Sequence, residues 1–268
     1  MALESLTEVT NSVVRFFNKT LSIVEMDARK LRHDPAELIT RAVQPALWLL
    51  VFGEVFTQIH AIPTGNLSYI AFMAPGILAQ SVLFIAIFFG ITVIWERDLG
   101  IIHKFLVSPT PRPALVLGKS LSAGLRALSQ VFIVYVLVIL VGVGIVWNPL
   151  NLSLVVVVAV LTSGLFSTLS LIIASLVKTR ERFMGIGQVL TMPLFFTSNA
   201  IYPLSMMPSW LQVIARLNPL TYSVDALRGL MIVGGSSAYG IGWDILVLFA
   251  ILVALVLIGA KLYPKVIL

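Results

Sequence analysis

Gly118-Lys119-Ser120 has the residue types that close a phosphate-binding loop, where backbone amides cradle phosphates and the lysine and hydroxyl meet phosphate and magnesium. The full pattern, G-x-x-x-x-G-K-[ST], needs a glycine at position 113, and Pro113 stands there. The residues leading up to it, Ser108-Pro109-Thr110-Pro111-Arg112, cannot supply the buried strand that feeds such a loop, because proline donates no ladder hydrogen bond. No nucleotide site of this kind is expected, and Lys119 reads as a cytoplasmic anchor at the start of a membrane span. His33, His60 and His103 fall in three separate regions without H-E-x-x-H spacing, so no metal site is expected either. There is no G-x-S-x-G elbow, no pair of acids within one apolar segment and no cysteine. These absences point away from covalent catalysis and from a cofactor on this chain.

One acid does stand inside an apolar segment. An ionised Glu54 facing lipid would cost about 2–3 kcal/mol or more. Either it lies at the wetted outer end of its helix, or it lines a substrate path or couples to protons.

The elements that would position these groups follow from composition. Of 268 residues, 59% are hydrophobic and 11% charged, with a mean hydropathy of +1.01. One water-soluble core could not hide that much apolar surface. Crossing a bilayer takes about 20 apolar residues per helix, and six segments reach that length: 40–60, 69–95, 121–147, 152–177, 184–203 and 241–263. Runs such as 154–161 are continuously apolar and do not alternate, which argues against a β-barrel. With six spans, sixteen of the eighteen Lys and Arg residues fall on one face, leaving only Arg216 and Arg228 on the other. Such segregation marks the cytoplasmic side, so both termini are expected there, in the plasma membrane. The start, Met1-Ala2-Leu3-Glu4-Ser5, lacks the basic opening of a secretory signal, and no cleavage is expected. The net charge of +6 reads as this topology signal and not as nucleic-acid binding.

Ahead of the first span, Val14, Phe17, Leu21, Val24, Ala28 and Leu31 recur every three or four residues, while Arg29 and its charged neighbours lie mostly off that stripe. This predicts an amphipathic helix along the membrane surface, ending near Asp34-Pro35. It serves as an interfacial anchor on lipid or as a surface for a partner protein. A cytoplasmic tail (1–36) thus precedes a membrane domain (37–268). Between spans two and three, Glu96, Arg97, Asp98, Gly100 and Phe105 lie in a helix-compatible run that Pro109, Pro111 and Pro113 end. A short amphipathic helix there suits the groove of a cytosolic partner. The segment 204–240 is too apolar for a loose loop and reads as two short helices dipping into the outer leaflet.

"ERDLGIIHKFLVSPTPRPALVLGKSL" at 96–121 resembles the cytoplasmic loop of type-2 ABC exporter permeases. "YIAFMAPGILAQ" at 69–80 is similar to their second span, and "NPLTYSVDALRGL" at 218–230 to the signature ahead of their last one. Ile101 departs from the small polar residue usual after the glycine. The resemblance implies an all-α permease of six spans that dimerises and binds two copies of a separate ABC ATPase, which would carry ATP and Mg. It also implies a coupling-helix role for Glu96, Arg97, Asp98, Gly100 and Phe105, and ATPase contact by the N-terminal helix (Phe17, Leu21, Val24, Arg29). Asn218, Pro219 and Tyr222 would belong to the outer-leaflet helices. Trp48, Phe52, Glu54, Phe195, Phe196 and Asn199 would line the substrate path or face lipid. The expected function is export of an amphipathic drug-like or glycolipid-like substrate. The alternatives are export of a polysaccharide or lipid-linked glycan and, from other classes, a lipid-modifying enzyme or a scaffold.

Overall fold

The computed structural model describes residues 16, 18–29, 40–59, 62–65, 67–100 and 112–262. The sequence expectations for Phe17, Phe105 and the body of the coupling segment, 101–111, lie outside the described residues.

Among those described, the regular structure is helical apart from one isolated antiparallel bridge, Ile145 with Ile232. Helix α1 covers 18–29. Helix α2 runs Val43–Ile59, with a wider π-helical turn at Trp48–Gly53. Next come α3 (Tyr69–Phe88) and α4 (Gly90–Asp98), which form one rod through Phe89. They are followed by α5 (Arg112–Leu140), α6 (Pro149–Leu176) and α7 (Arg180–Phe196). After a 3-10 turn at Leu204–Met206 come α8 (Ser209–Leu217), α9 (Pro219–Met231) and α10 (Ile241–Leu262).

Four of these rods are long and apolar enough to cross a membrane: Tyr69–Asp98, Pro113–Leu140, Pro149–Leu176 and Ile241–Leu262. The other two expected spans correspond to α2 and α7, each of 17 residues. At 1.5 Å per residue these are about 25 Å long. The third expected span, 121–147, is displaced: its helix starts at Arg112 and ends at Leu140. Proline needs no donor in the first turn of a helix, so Pro113 opens α5 where it was expected only to close the preceding helix. At the far end the Val143 amide reaches back to Val138 O (3.1 Å) and the chain leaves the helix.

Helix α3 is the hub. Nearly every residue from Tyr69 to Val82 is buried, which is why it is apolar on all sides with no distinct face. Helices α5, α6 and α9 pack around it. At the periphery, α10 exposes Leu246, Phe249, Val253 and Leu257 in a helical stripe, a face that hydrocarbon would cover.

Candidate functional site

Lys119 is 2% exposed. Its Nζ donates to Glu96 Oε1 at 2.8 Å and to Asp27 Oδ2 at 3.2 Å, and both acids are equally buried. Lys119 is therefore not the surface anchor expected from sequence. It is the centre of an ion cluster joining α1, α4 and α5. Gly118-Lys119-Ser120, which imitates a phosphate loop, finds its explanation here. A Cβ on Gly118 would come 2.9 Å from Ile23 Cβ, so the glycine lets α1 approach. Lys119 takes the two carboxylates, and Ser120 Oγ donates to Val116 O while meeting Thr168 Oγ1 on α6.

Helix α1 docks through Thr20, Ile23 and Asp27, spaced three and four apart and all buried. Ile23 packs with Val93, Leu115, Val116 and Leu171. The stripe expected to face lipid or a partner lies on another side of the helix: Leu21 is 59% exposed and Val24 half-buried. The helix has two apolar faces, and the one bearing an acid that can meet Lys119 turns inward. Arg29, on the exposed side, pairs with Glu25 at 2.6 Å.

The Glu96-Arg97-Asp98 run fastens neighbouring helices together. Glu96 turns inward to Lys119 and is buried. Arg97 Nη1 donates to Val177 O (3.1 Å) and Nη2 to Lys178 O (2.7 Å), binding carbonyls at the end of α6. Asp98 Oδ2 accepts from Arg180 Nη2 at 2.7 Å, at the first residue of α7, and the Arg180 guanidinium lies 3.6 Å over the Trp95 ring. Gly100 closes α4 with φ +71°, a left-handed conformation that costs other residues about 1–2 kcal/mol. Five helices, α1 and α4 to α7, are thus tied at one end of the bundle. That end is rich in lysine and arginine and is called the basic end below.

At the opposite end Asp225 of α9 and Asp244 of α10 converge on Ser237, whose Oγ lies 2.9 Å from an oxygen of each. Asp225 Oδ2 also accepts from the amides of Ala238 (2.7 Å) and Tyr239 (3.0 Å), while Gly240 N–H donates to Ser237 Oγ. A serine hydroxyl has one hydrogen. Both contacts can be hydrogen bonds only if one of the two carboxyls carries a proton. One turn along α9, buried Arg228 donates to Asn199 O at 2.7 Å and lies 3.9 Å over the Phe72 ring.

Two short helices, α8 and α9, lie within 204–240. Asn218 joins them: its Oδ1 caps α9 by accepting from Leu220 N (3.0 Å), and its Nδ2 donates to Leu194 O (2.6 Å). Pro219 opens α9, and Tyr222 Oη donates to Arg216 O at 2.7 Å. Trp48, Phe52, Phe195 and Phe196 come together. Trp48 meets Phe52 at 4.6 Å and Phe195 edge-on at 5.6 Å, and Phe195 meets Phe196 at 5.4 Å. Phe195 is fully buried, while Phe52 and Phe196 are exposed. Asn199 is buried, and Glu54 is exposed, with Gln58 Nε2 at 3.5 Å. Sequence reasoning missed Lys119, Asp27, Asp225 and Asp244 as site residues. The signal available was a charge inside an apolar helical run.

Residues 19–232, from within α1 through α9, match the family described as ABC-2 type transporter. The chain is 32% identical to the transport permease ycf38 of Cyanophora paradoxa, over 83% of this chain and 78% of that protein. It is 27% identical to the daunorubicin resistance ABC transporter permease protein DrrB1 of Streptomyces coeruleorubidus, over 86% and 79%. It is 26% identical to nodulation protein J of Rhizobium leguminosarum bv. trifolii, over 74% of each. With four-fifths of its length inside the family match and the motifs at 69–80 and 218–230 folded as buried helices, the chain belongs to the ABC-2 type transporter family, as a multi-pass membrane permease of an ABC transporter.

Proposed function

We propose that this permease is the membrane subunit of an exporter for amphipathic, drug-like or lipid-like molecules, driven by ATP and Mg bound to a separate cytosolic ATPase. In this reading all six apolar segments span the plasma membrane and both termini lie in the cytoplasm with the basic end. The permease pairs with a second copy and engages two ATPase subunits. The exposed apolar residues of α2 (Val43, Leu47, Leu50, Val55, Ile59) and of α7 (Val189, Phe196) support a role for these short helices at the dimer interface or against lipid. The relative named for daunorubicin resistance supports an amphipathic cargo.

The observation that carries the reading is the fastening at the basic end. Segment 101–111 leaves from α4 and returns into α5, and both ends are tied: α4 to α6 and α7 through Arg97 and Asp98, and α4 to α5 and α1 through Glu96, Lys119 and Asp27. A push on that segment from a closing ATPase pair therefore moves five helices together and biases which side the path opens to.

Asp98→Asn tests this. It weakens a half-exposed ion pair worth little to stability, so the permease still folds. Copurified with its ATPase in proteoliposomes, the variant is expected to keep hydrolysing ATP while transport of a fluorescent amphiphile drops about tenfold, a coupling loss of about 1.4 kcal/mol. Unchanged transport, or failure of any ATPase to copurify with the wild type, overturns the reading. Charge reversal at Glu96 is unsuitable, because a second buried cation beside Lys119 tests folding and not docking.

A further inference from the structure

Helices α3 and α4 follow one line, yet their backbone ladder changes hands between them. Up to Phe89 it runs as a helix requires, with the Phe89 amide donating to Ile85 O at 3.0 Å. The next amide, Gly90 N–H, donates across to Ser170 Oγ of α6 at 2.9 Å. That buried hydroxyl gives its own hydrogen to Ile87 O, the carbonyl that an uninterrupted helix offers to residue 91. Thr92 N–H then closes on Phe89 O, only three residues back, at 3.0 Å. A side chain inserted into the ladder, with a tightened turn beside it, marks a mechanical joint in a helix.

The joint leaves no spare room. A Cβ on Gly90 would stand 2.3 Å from Ser170 Oγ and 2.5 Å from Phe183 Cζ, so the glycine lets α6 and α7 reach this backbone. From there towards the basic end, α4 is sealed to α6 and α7. Ile94, Ala174 and Phe183 form a buried cluster, with Ile91, Ile173 and Val177 packed against it. At the far end of the seam, Arg97 grips Val177 O and Lys178 O. Helix α4 and the final turns of α6 therefore run side by side and are pinned at both ends.

We propose that Ser170 is a positioning residue that transfers α4 from α3 to α6, so that a push on segment 101–111 is delivered through α6 while α3 stays as the fixed hub. The proposal rests on the coupling reading above and names the helix that carries the motion. Helix α3 is enclosed on nearly all sides. Helix α6 is unbroken from Pro149 to Leu176, and it meets α9 at the opposite end of the bundle. There Thr162 Oγ1 contacts Ser223 Oγ at 2.7 Å, and Asn151 Nδ2 donates to Leu230 O at 3.3 Å.

The chain has no cysteine, so a removable staple tests this. Ile94→Cys and Ala174→Cys place one thiol on each side of the seam in the full-length permease. The pair is oxidised to a disulfide with diamide, followed by loss of maleimide labelling, before reconstitution with the ATPase in proteoliposomes. With Ser170 intact, the staple is expected to leave transport of a fluorescent amphiphile unchanged. Ser170→Ala frees the Gly90 amide to rejoin the ladder of α3, and is expected to keep ATP hydrolysis while transport falls about tenfold. The ratio of transport to hydrolysis is the readout, since a loss of stability alone lowers both together. Stapling the Ser170→Ala protein is expected to recover most of the transport, and reduction to lose it again. Wild-type transport in Ser170→Ala overturns the proposal. So does a staple that blocks transport with Ser170 intact, because the seam would then have to open. If neither this pair nor Ile91→Cys with Ile173→Cys oxidises, the seam is not closed in the membrane and the proposal falls. Should Ser170→Ala fail to fold, the staple with Ser170 intact still decides. A wild type without transport defeats the coupling reading itself, whereas these outcomes in a transporting protein defeat only the routing through α6.

Discussion

At the basic end one ammonium holds two carboxylates that arrive from 92 and 23 positions away in the sequence, on two other helices. At the opposite end two aspartates, 12 and 7 positions from Ser237, meet around its hydroxyl with help from backbone amides of the same loop. Both ends bury charge, but for different mechanical purposes. The first cluster bridges helices that are distant in sequence, so it registers their relative positions. The second braces a short connection between α9 and α10 and would persist if the rest of the bundle moved. A buried charge group in a membrane permease is thus informative chiefly through the sequence distance it spans.

The sharpest way to break that comparison is Lys119→Met. It removes the ammonium that the buried Asp27 and Glu96 share, at a cost of about 3–5 kcal/mol. The variant is expected to show a large fall in thermal unfolding temperature in detergent, followed by tryptophan fluorescence. Replacing all three together, with Asp27→Leu and Glu96→Met added, removes the buried carboxylates as well and should restore most of the stability. If the triple variant folds yet loses transport, the cluster serves coupling; if Lys119→Met melts like wild type, the claim of a structural ion cluster falls.

The helical rods, the basic-face segregation and the two short helices around Asn218 were legible because each leaves a one-dimensional trace: run length, charge position, or an Asn-Pro cap. Pairings across the bundle leave none. Glu96 could be picked out as part of a charged run, but whether it turned outward or inward depended on Lys119 and Asp27, and nothing in spacing connects positions 27, 96 and 119. For the same reason the face of α1 that meets the bundle was not legible. Leu21 and Val24 give the longer apolar stripe, yet Ile23 seats on Gly118 because the glycine opens space there. Hydrophobicity ranked the faces, and shape and charge chose between them.

At the opposite end the two acids should respond unequally. Asp225 Oδ2 accepts from two backbone amides and from Ser237, and one turn away stands buried Arg228. Asp225→Asn exchanges an anion for a neutral amide within that ring of donors, and is expected to cost about 1–3 kcal/mol and to expose the 232–240 connection to protease. The protease readout separates this local loosening from the global melting expected of Lys119→Met.

Asp244→Asn is expected to have the smallest effect, within about 1 kcal/mol of wild type, because an amide N–H can donate to Ser237 Oγ as a protonated carboxyl would. Asp244 Oδ1 has no partner in its buried position, so the substitution removes no acceptor in use. The comparison to make is of unfolding temperatures for the two asparagine variants side by side. A loss at Asp244 equal to that at Asp225 would mean that both carboxyls are ionised. The hydroxyl of Ser237 could then donate to only one of them, and the cluster around it would be a site of unrelieved repulsion and not a local brace.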